Sequence, residues 1–379
     1  MQIEQKLWTP ESGWASLSPC EFPAEPQLVL AFGGRSIFKE GQLLREVAKM
    51  YPEAIIAGCT TAGEIQDVGV TDETLAVTAI HFSKTRVVSA CVSMSDVADS
   101  YTAGKVLAEA LEPEDLTHAF VLSDGLTVNG SDLARGLSEH VPDGVAVTGG
   151  LSGDQACFEE TYVMCNGVAT QNSVSVLGFY GEALKTGFGS LGGWDPFGTE
   201  RVITRSKGNI LYEMDGQSAL KLYKQYLGEQ AEDLPASGLL FPLTVRSAQG
   251  GSAVVRTILA VDEEEGSMTF AGDVPEGFYA RLMKANFNRL IDGALMAAKS
   301  SAEPFAANPP ELAILISCVG RKMVLKQRVE EEVEAVREVF GDTTALTGFY
   351  SYGEISPLLP SATCRLHNQT MTITTFSEK

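Results

Sequence analysis

Three segments of this chain repeat the same order of elements, and this repeat constrains the fold more than any other feature of the sequence. Each segment has an apolar stretch that ends in a glycine loop, a helix-like pattern, a second apolar stretch, and a loop that joins glycine to an acidic residue. The glycines that follow the first stretch and close the second are 24 residues apart in two segments and 28 in the third. These pairs are Gly34 and Gly58, Gly125 and Gly149, and Gly320 and Gly348. Such a period predicts one supersecondary unit used three times.

The elements within each unit follow from residue spacing. Apolar residues recur at helical intervals in the middle of each segment, most clearly at Val329, Val333, Val336 and Phe340. Stretches rich in β-branched residues follow each glycine-acid loop and are typical of strands, namely TLAVTAIHF, SVSVLGFY and TMTITTF. The sequence therefore predicts an α/β fold with mixed sheets, in which three β-α-β-β units form two lobes with a ligand cleft.

The region between the second and third units has a different pattern. It begins with GFGSLGGWDPFG at residues 187–198, which we interpret as a loop covering a pocket, with Trp194 as an apolar wall. A long helix is expected from about Glu276 to Ser300. The predicted organisation is an N-terminal leader at 1–25, a first domain at 26–198 and a second domain at 199–379.

Charge and hydropathy exclude several classes of function. The chain has 28 Lys and Arg against 49 Asp and Glu, a formal charge of -21, which opposes binding to nucleic acid or to an anionic membrane. No apolar run is long enough for a transmembrane helix, and residues 1–25 lack the pattern of a secretory signal. The seven cysteines are scattered and odd in number, which favours reduced thiols and a cytoplasmic protein.

The glycine-acid loops are the first candidate site. In an open α/β sheet, ligands bind beyond the carboxyl ends of the strands, where these loops would lie. Glycine allows close backbone approach there, and an acid accepts hydrogen bonds from a ligand. The candidate ligand-binding residues are Gly63, Glu64, Gly153, Asp154, Trp194, Arg321, Tyr350, Tyr352, Glu354 and Asn368. The alternative is that the acids only hold turns together.

His367 is the histidine with the most favourable position for a cofactor. It follows the FYSYGEI loop and precedes Asn368, an amide that could orient an imidazole ligand. His81, near the end of an apolar strand, is the second candidate. A structural hydrogen bond is the alternative for both. Cys364 and His367 also form C-x-x-H, but residues three apart on a strand point to opposite faces, which disfavours zinc.

No catalytic constellation is evident. GFGSLG matches a dinucleotide-binding string, but Trp194 and Pro196 follow where a helix would have to begin. GFYSYG is one residue too long for a nucleophile elbow. We therefore expect a binding protein and no enzyme.

With these residues in view, the chain resembles the FIST family of bacterial sensory proteins, which have FIST N and FIST C domains. The resemblance rests on GCTTAGEI, GGLSGD, FEETYV, GGWDPFG, LYEMDGQSALKLYKQYLG, GRKMVLKQR and TGFYSYGEISP with CRLHNQTMTITT, and only the first 25 residues fall outside it. It implies a FIST N domain at 26–198, a FIST C domain at 199–379 and a signal-input protein for small ligands, suggested to be amino acids or related molecules.

Some members of the family resemble a nitric-oxide-sensing protein that binds haem and regulates a histidine kinase or a cyclic-diguanylate enzyme. The leading hypothesis is therefore a cytoplasmic sensor in which haem b is held by His367, with His81 in reserve, and in which nitric oxide is reported to such a partner. The alternative is a haem-free sensor, in which the glycine-acid loops and Arg321 hold an amino acid or related metabolite. A homodimer is left open.

Overall fold

A computed structural model describes residues 1–18, 20–248, 250, 253–305, 308–358 and 363–379. Twenty-seven strands lie within these described residues. They are β1 Gln2–Thr9, β2 Gly13–Ser18, β3 Leu28–Gly33, β4 Ile55–Thr60, β5 Glu64–Gln66, β6 Gly69–Thr71, β7 Leu75–His81, β8 Arg86–Ser93, β9 Leu116–Ser123, β10 Ala146–Leu151, β11 Val163–Cys165, β12 Val168–Thr170, β13 Ser173–Tyr180, β14 Leu184–Leu191, β15 Asp195–Lys207, β16 Ile210–Met214, β17 Gln217–Ser218, β18 Leu243–Arg246, β19 Val254–Arg256, β20 Ile258–Asp262, β21 Ser267–Phe270, β22 Tyr279–Lys284, β23 Leu312–Cys318, β24 Ala345–Ser351, β25 Gly353–Pro357, β26 Cys364–His367 and β27 Met371–Glu378.

The same described ranges contain eight α-helices. They are α1 Arg35–Glu40, α2 Gln42–Met50, α3 Ser100–Glu109, α4 Gly130–Ser138, α5 Ala219–Leu227, α6 Phe287–Ala302, α7 Val319–Leu325 and α8 Val329–Phe340. Within the described residues, no helix has the length and apolar character needed to cross a membrane. Helices and strands are interleaved in several mixed sheets, so the predicted α/β class is confirmed.

Each of the three predicted units supplies the centre of one sheet. In the first sheet β3 pairs in parallel with β4 and antiparallel with β7. The second sheet is built in the same way from β9, β10 and β13, and the third from β23, β24 and β27. The central strands are buried except at Thr117 of β9, which is half-buried, and this burial explains why they are apolar runs without alternation.

A two-stranded hairpin follows the second strand of each unit and joins the sheet of a different unit. Hairpin β5–β6 of the first unit pairs with β24 of the third, and hairpin β11–β12 of the second pairs with β4 of the first. Hairpin β25–β26 of the third unit pairs with β10 of the second. The three exchanges close a ring. Because the glycine-acid loops lead into these hairpins, the ring brings the loops together.

The recurring glycine of the second strand has a steric cause. In each unit this glycine lies against the carbonyl oxygen of the parallel first strand, and a Cβ there would be only 1.8 or 1.9 Å from that oxygen. Real side chains do not approach a backbone this closely. The pairs are Gly58 with Ala31, Gly149 with Val121, and Gly348 with Leu315.

A separate β-rich region is inserted between the second and third units. Strands β15 to β22 form its sheet, and α5 covers one face with a buried core that includes Leu222 and Tyr223. Residues 187–198, expected to form a loop, instead belong largely to β14 and β15. The division predicted between residues 198 and 199 lies within β15 and stays a prediction. Residues 1–25, interpreted as a leader, contribute β1 and β2 to the first sheet.

The long helix expected from Glu276 begins later than predicted. Residues 279–284 form β22, because they pair with β15 and β18 in the inserted sheet. The helix α6 starts at Phe287, where the Asn286 side chain accepts a hydrogen bond from the Arg289 backbone N–H at 3.4 Å. Local helical spacing was therefore overridden by strand pairing.

Two cysteines form a disulfide, so the expectation that all seven are reduced thiols is wrong. Cys91 on β8 is bonded to Cys165 on β11, with their Cα atoms 5.8 Å apart. The disulfide connects β8 of the second sheet to the hairpin β11–β12, which lies in the first sheet. The residues are 74 apart in sequence and share no motif, so only the packing of the two sheets reveals the pair.

Candidate functional site

The glycine-acid loops meet at the centre of the ring. The Ala62 N–H donates to the Tyr350 carbonyl at 2.8 Å, and the Tyr350 N–H donates to the Gly63 carbonyl at 2.8 Å. The Gly153 N–H donates to the Thr60 carbonyl at 3.0 Å. The loops thus pack directly on one another through their backbones.

Glu354 is completely buried and bound by its own unit. The Ser351 hydroxyl donates to it at 2.9 Å, and the backbone N–H and hydroxyl of Thr370 donate at 3.0 and 2.8 Å. Burial raises the pKa of Glu354 to about 8. Burial also raises the pKa of Glu64, at the equivalent position of the first unit, to about 7. The equivalent donors around Glu64 are Thr61 and Thr74.

The raised pKa of Glu354 predicts a pH-dependent stability. The folded protein binds a proton at Glu354 up to about pH 8, whereas the unfolded glutamate releases it near its ordinary pKa of 4.5. The stability that this group contributes is therefore fully present below about pH 4.5 and is lost as the pH rises towards 8. Across this window the unfolding free energy of the wild type should fall by at least about 1 kcal/mol more than that of Glu354→Gln.

Urea denaturation at several pH values measures this effect. The matched control is Glu331→Gln on α8, because this glutamate is 42% exposed and paired with Arg328. Within this pH window it should leave the pH profile of the wild type unchanged, because the hydrogen bond from Arg328 lowers the pKa of Glu331. Equal pH profiles for Glu354→Gln and the wild type would contradict the prediction.

Asp154 ties its loop to the third unit. It accepts hydrogen bonds from the Tyr352 hydroxyl and, at 2.8 Å, from the Phe158 backbone N–H, and it forms an ion pair with Arg35 at 3.1 Å. The Phe158 ring stacks on Tyr352 with centroids 4.5 Å apart. The carboxylates of Glu64, Asp154 and Glu354 are thus occupied by contacts within the protein, as in the alternative that acids hold turns together.

Arg321, expected to hold a ligand carboxylate, is fully buried and forms an ion pair with Glu332 at 2.7 Å. Its remaining N–H groups donate to the carbonyls of Gly192 and Leu290. Glu332 also accepts from the Tyr350 hydroxyl at 2.6 Å. This network leaves neither Arg321 nor Tyr350 open to a ligand in the described structure, because both are buried within it.

Trp194 lies at the junction of the inserted β-rich region and the third unit. Its side chain is 6% exposed, and its indole N–H donates to the Gln369 carbonyl at 2.9 Å. The Gln369 side chain in turn donates to the Leu239 carbonyl at 3.0 Å. Trp194 is therefore packed into this junction.

Asn368 is the predicted site residue with the most unusual surroundings. Its side chain is fully buried, and neither its amide nitrogen nor its amide oxygen has a hydrogen-bond partner among the described residues. The nitrogen is 3.6 Å from the position that a Cβ of Gly353 would occupy. Native proteins pair nearly all buried polar groups, and each unpaired one costs about 1–3 kcal/mol.

Three further residues with unpaired buried atoms lie along the same junction. We call them, together with Asn368, the amide–hydroxyl cluster: Ser237, Thr257, Asn368 and Gln369. Hydrogen bonds connect the segments that carry them, since Gln369 bonds Leu239 and the Arg256 guanidinium donates to the Leu366 carbonyl at 3.1 Å. The cluster offers both donors and acceptors in a buried setting.

Ser237 and Thr257 were not identified from the sequence. Ser237 lies in a short 3-10 helix, Ala236–Leu240, and Thr257 lies between β19 and β20. Neither residue belongs to a motif. Their position at this junction depends on how the inserted region docks onto the third unit, which local pattern does not report.

Each of the two candidate haem ligands has one ring nitrogen at hydrogen-bonding distance from another group. His367 is 3% exposed and its Nε2 lies 2.9 Å from the Ser356 carbonyl, so this nitrogen carries a proton and donates it. Burial lowers the pKa of His367 to about 4. His81 lies in the first sheet, with Nδ1 3.2 Å from the Gln27 amide nitrogen and 3.3 Å from the Glu25 carbonyl. The haem assignment stays an untested prediction.

The described residues also contain no group of three or more His, Cys, Asp or Glu side chains suited to a metal ion. Cys364 and His367 both lie on β26, where Cys364 is opposite Pro357 and His367 is opposite Glu354. Among the residues that the structure describes, the C-x-x-H pair is therefore not brought together with further metal ligands.

Comparisons with known proteins agree with this architecture. The family model for the FIST N domain matches residues 27–217, and that for the FIST C domain matches residues 219–357. An uncharacterized protein of Methanocaldococcus jannaschii is 24% identical over 211 residues, which are 52% of this chain and 40% of that protein. The chain thus spans less than half the length of that relative. Since the two domain models together cover most of the sequence, the chain belongs to the FIST family.

Proposed function

We propose that this protein is a signal-input module that binds a small polar metabolite, an amino acid or a close relative, at the amide–hydroxyl cluster. The observation that carries the proposal is the fully buried Asn368 side chain with both amide atoms unpaired among the described residues. FIST domains are sensory ligand-binding domains, which supports a sensor role over a catalytic one.

The chemistry of the cluster favours a ligand with both donors and acceptors. The Asn368 amide nitrogen and the hydroxyls of Ser237 and Thr257 can donate to a carboxylate. The amide oxygens of Asn368 and Gln369 can accept from an ammonium group. An amino acid supplies both groups, and its binding would relieve the cost of the unpaired atoms.

The position of the cluster suggests how binding becomes a signal. Gln369 belongs to the third unit and contacts Leu239 of the inserted region, so a ligand held there would touch both parts. A ligand that binds one relative placement of these parts more tightly shifts the protein towards that placement. The receiver of this signal would be a separate protein, and a histidine kinase or a cyclic-diguanylate enzyme is the proposed partner.

Replacing Asn368 by leucine should separate ligand binding from folding. We expect Asn368→Leu to abolish amino-acid binding while raising the unfolding free energy of the ligand-free protein by about 1–3 kcal/mol, because two unpaired polar atoms leave the core. Thermal-shift screening of the standard amino acids, followed by calorimetric titration of those that stabilise the wild type, measures binding. Urea denaturation measures stability.

Thr347→Val is the matched control. The Thr347 hydroxyl is also buried and unpaired among the described residues, but it lies on β24, outside the cluster. This variant should gain stability and keep the ligand. The proposal is wrong if no amino acid binds the wild type, or if Asn368→Leu binds it with unchanged affinity.

A titration with ferric haem tests the competing cofactor. Saturable uptake of one haem with a Soret band, lost in His367→Ala and retained in Asn368→Leu, would replace the amino-acid proposal by the haem hypothesis. Uptake that is absent or non-saturable would remove haem and nitric oxide from consideration.

A further inference from the structure

A cavity lies between α4, the inserted β-rich region and β26. Its volume is about 410 Å³, within the range of small-molecule sites, and no residue of the amide–hydroxyl cluster lines it. Its lining includes three arginines and three large apolar side chains. They are Arg135, Arg256, Arg365, Val245, Val254 and Phe278.

Arg256 is the unusual charge in this cavity. It is 6% exposed, and its guanidinium donates to the carbonyls of Asp273, Val255 and Leu366 at 3.1–3.2 Å. Among the described residues it forms no ion pair with a carboxylate within 4.0 Å. A buried arginine normally has such a partner, because carbonyl groups do not neutralise its charge.

Arg365 adds a second charge at the same place. It is exposed, lies opposite Ser356 in the β25–β26 pair, and has no ion pair among the described residues. Both arginines line the same cavity. Burial lowers the pKa of Arg256 to about 10, and the charge of Arg365 also lowers it. Two like charges without an intervening anion repel each other.

The other charged groups that line the cavity are already engaged. Arg135 forms an ion pair with Asp132 at 2.7 Å, and Glu139 accepts from the Tyr101 hydroxyl at 2.6 Å. Asp273 is the one carboxylate whose charge acts on Arg256, and its Oδ1 accepts from the Asn129 amide at 3.3 Å. The three arginines are matched in number by Asp132, Glu139 and Asp273, but neither Arg256 nor Arg365 forms an ion pair among the described residues.

We infer that this cavity is a second ligand site, which takes a small organic anion: an apolar body with a carboxylate, sulfonate or phosphate group. The anionic group would lie between Arg256 and Arg365, where a planar guanidinium can donate two hydrogen bonds. The apolar body would lie against Val245, Val254 and Phe278.

Anilinonaphthalene sulfonate is a suitable probe, because it joins an aromatic body to one sulfonate and fluoresces in apolar sites. We expect saturable binding of one probe per chain. Arg365→Gln should weaken it about tenfold, the loss of one charge-assisted contact. Because Arg365 is exposed, the variant should fold normally, which circular dichroism checks.

Arg45→Gln on α2 is the matched control, since Arg45 is also exposed, forms no ion pair among the described residues and lies outside the cavity. It should bind the probe like the wild type. Phenylnaphthylamine, which lacks the sulfonate, should bind the wild type and Arg365→Gln equally. The inference fails if the wild type does not bind the sulfonate probe saturably, or if Arg365→Gln and Arg45→Gln bind it alike.

Discussion

Gly348→Ala is expected to lower the unfolding free energy by more than about 4 kcal/mol, or to prevent folding. A Cβ at this position would lie 1.8 Å from the Leu315 carbonyl oxygen and 2.7 Å from its carbonyl carbon. These atoms belong to the parallel partner strand β23, so no side-chain rotation can relieve the clash. The two central strands of the third sheet would have to separate. Urea denaturation followed by circular dichroism measures the loss.

Gly69→Ala is the control for this prediction. Gly69 also lies in a strand, β6, but a Cβ there would meet the Gln66 carbonyl oxygen at 3.5 Å, an ordinary contact. Its effect should stay within about 1 kcal/mol. If Gly348→Ala were as stable as Gly69→Ala, the steric account of the repeated glycine would be wrong. The same account predicts losses for alanine at Gly58 and Gly149, where a Cβ would lie 1.9 Å from the carbonyl oxygen of the partner strand.

Arg321→Met is expected to cost about 3–5 kcal/mol of folding stability, because it leaves the carboxylate of Glu332 buried without its counter-charge. Both side chains have 0% exposure. The methionine also removes the donors to the carbonyls of Gly192 and Leu290, which connect the third unit to the segment before β15 and to α6. Chemical denaturation of the purified variant measures the change.

A double-mutant cycle isolates the ion pair. Arg321→Met with Glu332→Leu should lose less stability than the sum of the single variants, although the hydroxyls of Ser317 and Tyr350 remain without their acceptor. The exposed pair of Arg328 and Glu331 on the same helical segment is the comparison, and Arg328→Met should cost at most about 1 kcal/mol. Similar costs for Arg321→Met and Arg328→Met would show that the buried network does not support the fold.

Local pattern predicted much of the architecture. The apolar runs that became β3, β9 and β23 are buried except at the half-buried Thr117, and the helical spacing from Val329 to Phe340 became α8. The glycine spacing marked the second strands because glycine is required where two parallel backbones touch. These features depend on neighbours in the chain or on a fixed strand–helix–strand unit, so the sequence alone was sufficient for the fold class.

The sequence also singled out Asn368, but it did not determine the role of most residues around it. Whether Arg321 meets a ligand or Glu332, and whether Glu354 faces a cleft or its own loop, depends on which buried partners the fold provides. The exchange of hairpins, the disulfide between Cys91 and Cys165 and the docking of Leu239 against Gln369 join segments far apart in the chain. Such contacts leave no local periodicity, because each partner satisfies its own strand or loop pattern. Only the tertiary structure therefore decided which buried polar atoms are paired and which are not.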